Sequence, residues 1–100
     1  MLKREEVLDM AVHALAPLMI KYRSADASDL FDESLDIARR LVKKVNDVSL
    51  ENADIDRDEL LDMCVHALSA LLKGREFEVL DELLIECVEV AQALMIGADI

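Results

Sequence analysis

Apolar residues recur every three or four positions along most of the chain, and nowhere do they alternate at period two. That spacing is the signature of amphipathic helices and predicts no strands. Four stretches carry it. Residues 3–21 have the stripe Leu8, Ala11, Val12, Leu15, Leu18, Met19, continued by Tyr22. From about residue 29 to Val45 the stripe is Leu30, Phe31, Ser34, Leu35, Ala38, Leu41, Val42, Val45. A third helix starts at Asp56, which with Glu59 makes a capping box, and Ile55 and Leu60 are placed as a staple across it. The fourth spans about 76–96 with Leu80, Leu83, Leu84, Cys87, Val88, Ala91, Leu94 and Met95 inward.

Punctuation refines the boundaries. Pro17 lies inside the first stripe, opposite the carbonyl of His13, and predicts a kink or an early end there. Asp26 or Ser28 caps the second helix, with Asp29 and Asp32 suited to its positive end. Gly74 predicts a left-handed stop for the third helix, and Gly97 ends the fourth.

The pattern is written twice. Residues 2–47 superpose on 55–100 at an offset of 53 with no gap, and 14 of the 46 pairs are identical. The densest run sets Glu6 to Leu15 against Glu59 to Leu68. The chain therefore reads as one domain, residues 1–100. It holds a repeat at 2–47, a connector at 46–55 and a repeat at 55–100. One hundred residues support a single core, so two helical hairpins must share it. The expectation is an all-α four-helix bundle of duplicated hairpins with an approximate internal two-fold axis.

Charge narrows the partners. The net charge is −11, and it is uneven: residues 1–47 carry 8 basic and 9 acidic side chains, residues 48–100 carry 3 and 13. An acidic surface disfavours phosphate backbones and anionic membranes. No direct nucleic-acid binding and no membrane association are expected. No apolar run approaches the roughly 18 residues of a membrane span. Nothing at the N-terminus reads as a signal peptide, which makes the expected setting cytoplasmic. Size and acidity suit a small bacterial or phage accessory protein.

Candidate chemistry is sparse. Asp9 and His13, repeated as Asp62 and His66, sit four apart and so touch along a helix surface. They are the candidate metal ligands, but taking Leu8 as the centre of the core stripe turns them outward, away from where bundles build metal sites. Met10, Met63, Ala14, Ala67 and Ile20 make this outer face beside His13 and His66 partly apolar, which suits a protein. Cys64 and Cys87 fall at apolar positions, and helical phase separates Cys64 from His66 by about 160°. The size and class resemble phosphorelay carriers, yet the Lys-Gly that those domains place just after their histidine is missing. An acyl-carrier resemblance fails likewise, since Glu33-Ser34-Leu35 lies mid-helix.

No nucleophile–base constellation, glycine-rich phosphate loop or zinc spacing is present, so neither catalysis nor a cofactor is expected. Helix 4 carries a second apolar side, Ile85 and Ile96 with Gln92 between them. A helix apolar on more than one side is covered by something. The reading is a non-catalytic interaction or adaptor module, a homodimer, with Met10, His13, Met63, His66, Ile85, Gln92 and Ile96 as interaction residues. The alternatives are a metal- or ligand-binding bundle using the Asp/His pairs, and an acidic DNA mimic using such residues as Glu76, Glu78, Glu82, Glu86 and Glu89.

Overall fold

In the computed structural model, which describes residues 2–23, 26–74 and 80–98, each predicted helix is present. Helix α1 spans Arg4–Lys21, α2 Phe31–Glu51, α3 Arg57–Gly74 and α4 Leu80–Ala98. A short 3-10 turn, Ala27–Leu30, leads into α2. The described residues contain no strand.

Local chemistry explains the ends. Asp26 caps the 3-10 turn in a capping box, and the Asp29 carboxylate accepts the Asp26 N–H at 3.1 Å. Asp56 caps α3: its Oδ1 accepts the N–H groups of Asp58 and Glu59 at 3.0 and 3.2 Å. Helix α1 does not end at Pro17. It runs on to Lys21, and the Tyr22 N–H donates to the Leu18 carbonyl at 2.8 Å. A proline removes one donor, and the buried ring packs in the core.

Three boundaries differ from the expectation. Helix α2 extends past Val45 to Glu51, because Val48 continues its apolar stripe and no breaker intervenes. The connector shrinks to residues 52–56, where Asn52 Oδ1 accepts the Asp54 N–H at 3.2 Å. Gly74 is the last residue of α3 and Gly97 lies inside α4, and neither has a positive φ. The expected start of α4 at residue 76 lies outside the described residues.

One core is shared by both repeats. Its fully enclosed side chains include Met10, Leu18, Ile37, Leu41, Leu60, Leu68, Leu72 and Leu84. Helices α2 and α4 bury or half-bury the stripes their sequences predict, save Phe31 and Leu94, which are exposed, and α2 also encloses Ile37. Helix α1 does not. It buries Val7, Met10, Ala11, Ala14, Pro17 and Leu18, and leaves Leu8, Val12, Met19 and Tyr22 exposed. Both faces of α1 are apolar, so periodicity alone does not choose between them.

Helix α1 packs on α2 and α3, and α4 packs on α3 and α2. Helices α2 and α3 also touch, whereas no Cα pair closer than 8 Å links α1 to α4 among the described residues. A two-fold that pairs α2 with α3 would pair α4 with α1, so the packing departs from the expected symmetry. Helices α1 and α3 run parallel: Glu6 meets Arg57 at one level and His13 meets His66 further along both.

Candidate functional site

The paired histidines lie on the α1–α3 seam. Their ring centroids are 6.2 Å apart and tilted by 55°. Each ring is tied to its own helix. His13 Nδ1 donates to the Asp9 carbonyl at 2.7 Å, and His66 Nδ1 to the Asp62 carbonyl at 2.9 Å. A carbonyl only accepts, so the proton sits on Nδ1 and Nε2 is the open nitrogen of each ring. The Asp9 and Asp62 carboxylates stand off at 3.7 and 4.0 Å. The arrangement therefore offers two imidazole nitrogens. Among the described residues no three His, Cys, Asp or Glu side chains gather at a point suited to a metal ion.

Met10 is corrected outright. It is fully buried, because α1 turns its Met10 side toward the shared core, and it cannot serve an outer surface. Met63, its counterpart, is half-buried against the core. Cys64 and Cys87 are free and buried, and the Cys87 thiol donates to the Cys64 carbonyl at 3.4 Å. The interaction with the Cys64 side chain, and then burial, push the Cys87 thiol up. A thiol held protonated in the core is packing, not a nucleophile.

Helix α4 presents its second apolar side as expected. Ile85 and Ile96 are exposed, and Gln92 is half-buried between them. Ile85 and Gln92 line a groove shared with Lys44, Asp47, Val48 and Glu51 on α2. Gln92 and Ile96 line a second with Asn52, Asp54, Ile55 and Met95. Charged and polar side chains rim both grooves. Of the acids considered for DNA mimicry, Glu76 and Glu78 lie outside the described residues.

A more apolar surface feature lies elsewhere. Between α1 and α2 runs a groove lined by Leu8, Ala11, Val12, Leu15, Phe31, Ser34 and Leu35, with almost no polar surface. These are residues that the stripe assigns to the core. The repeat offset supplies the missing signal. The second hairpin has Leu61, Cys64, Val65, Leu68, Leu84, Cys87 and Val88 at the same places, and there all seven are buried.

The comparisons with known families, curated proteins and solved structures return no match.

A second feature invisible to periodicity holds the seam. Arg57, at the first position of α3, makes a two-bond fork to Glu6 on α1, Nη1–Oε2 and Nη2–Oε1 both at 2.7 Å. Its Nε donates to Asn46 Oδ1 on α2 at 2.7 Å. The hydrogen bonds from Arg57 hold the Glu6 carboxyl below its ordinary value, and Glu6 raises the Arg57 guanidinium in turn. One side chain thus ties three helices together.

Proposed function

We propose that this protein is a non-catalytic interaction module that associates with itself, and that the α1–α2 groove is its binding surface. The observation that carries this reading is the unequal exposure of one stripe in its two copies. Val12 is 65% exposed while Val65, its repeat counterpart, is 4% exposed. Met19 is 43% exposed against 1% for Leu72. The same residue types at the same helical positions are core in one hairpin and surface in the other. Exposed contiguous apolar surface of this kind marks interfaces. The groove offers shape and apolar area, with no acid–base pair or nucleophile to act on a substrate, which suits binding.

The test is absolute mass by light scattering across a range of concentrations. The wild type is expected to exceed 11.2 kDa as concentration rises. The variant Leu8→Glu/Val12→Glu is expected to stay at one chain with unchanged helix content. A wild type that remains monomeric at every concentration would falsify the reading. The same outcome follows if Ile85→Glu/Ile96→Glu dissociates the protein and the groove variant does not, because the interface would then lie on α4.

A further inference from the structure

The two hairpins are exposed in opposite places. On the side of the first hairpin that faces away from the second, Leu8, Val12 and Phe31 are open, and their counterparts Leu61, Val65 and Leu84 are buried. On the other side the relation reverses. Met10, Ala14, Ile37 and Leu41 are sealed in the first hairpin. Their counterparts Met63 and Ala67 are half-buried, Val90 is exposed and Leu94 is 59% exposed. One arrangement produces both facts. The hairpins are stacked in the same direction, the tail face of the first on the head face of the second. The parallel run of α1 and α3, and the contact of α2 with α3 but not α1 with α4, have the same origin.

Such a stack leaves an unused head on the first hairpin and an unused tail on the second. Solenoids built from stacked repeats end in capping units with polar outer faces. Here both ends are apolar. The charges also match. Across the internal seam Glu6 of a tail face grips Arg57 of a head face. The repeat preserves both residue types, as Glu59 on the unused tail and Arg4 on the unused head, and both are exposed.

Resting on the self-association read above, we propose that the occupant of the α1–α2 groove is the tail face of a second copy. Val90, Leu94 and Met63 of one protomer pack where Ile37, Leu41 and Met10 pack within the chain, and Glu59 pairs with Arg4 of the next protomer. The two surfaces differ, so the contact is heterologous and propagates into a chain or closes as a ring.

Mixing variants tests the polarity. The head variant Leu8→Glu/Val12→Glu and the tail variant Val90→Glu/Leu94→Glu are each expected to run as monomers. Their equimolar mixture is expected to give a species of twice the monomer mass, because one intact tail meets one intact head. A mixture that stays monomeric overturns the proposal. So does a tail variant that still dimerises alone, the mark of a head-to-head contact. That result would leave the interaction module standing, whereas a monomeric wild type removes both. Should either pair of substitutions unfold the chain, charge reversal replaces it. Arg4→Glu and Glu59→Arg singly should weaken association several-fold, and together in one chain restore it. Failure of the double variant to recover also overturns the head-to-tail contact.

Discussion

At the scale of single residues, Glu6 and Arg57 make the clearest energetic statement. Both side chains are largely enclosed, at 15% and 25% exposure, and their geometry is the planar fork that suits guanidinium and carboxylate. Hydrogen bonds to charged groups contribute roughly 1.5–3 kcal/mol where they are well formed. The Glu6 carboxyl is depressed in the folded state, so its contribution is fully present above pH 4.5 and is lost as pH falls through the lower folded value. Glu6→Gln is therefore expected to cost about 1–2 kcal/mol at pH 7, and the gap to wild type should close at lower pH. Urea unfolding at pH 7 and near pH 3 measures it, and a gap that does not narrow would show that the carboxylate charge is irrelevant. Nothing in the periodicity announces this pair. Arg57 and Glu6 are 51 positions apart, and only the stacking of α3 on α1 brings them together.

At the scale of helices, legibility depends on how one-sided each helix is. Helix α2 alternates a sharp apolar stripe with acids and bases, and its stripe is read correctly from Leu30 to Val45 apart from Phe31, which is exposed, and Ile37, which is fully buried and absent from the predicted stripe. The Asp56 cap is likewise plain, because a side chain three residues from its target needs no tertiary information. Helix α1 resists reading for a physical reason. Val7, Met10, Ala11, Ala14 and Leu18 form one apolar face and Leu8, Val12, Leu15 and Met19 another, so the hydrophobic driving force has no preferred side until a neighbour supplies one. The same ambiguity hides the candidate site, since the periodicity assigns the groove residues to the core. This burial difference has a measurable consequence. Leu68→Ala is expected to cost about 2–5 kcal/mol because Leu68 is fully enclosed, whereas half-buried Leu15 at the equivalent place should cost clearly less in the monomer. Thermal unfolding of the two variants in parallel decides it, and equal losses would mean that α1 and α3 are equivalently packed in solution.

At the scale of the whole molecule, duplication sets up a conflict between charge and apolar surface. Two hairpins in one chain satisfy one seam and leave two unmatched ends, while each copy carries a net charge of −11. Copies that approach one another through apolar faces do so against like-charge repulsion, which screening relieves within a Debye length of about 10 Å at 0.1 M salt. The Arg4–Glu59 attraction is screened by the same ions, but an exposed pair of this sort is worth at most about 1 kcal/mol. The net effect of salt is therefore set by the overall charge, and self-association should strengthen as sodium chloride rises from low to moderate concentration. Sedimentation or light scattering at two ionic strengths reads the shift in the concentration at half-association. Weakening with salt would mean that specific ion pairs, and not the apolar head and tail faces, hold the copies together. The uneven charge adds a second expectation to the same experiment. The acids gather in residues 48–100, so the repulsion is greatest where one tail meets another, and head-to-tail contact is the arrangement that keeps those surfaces apart.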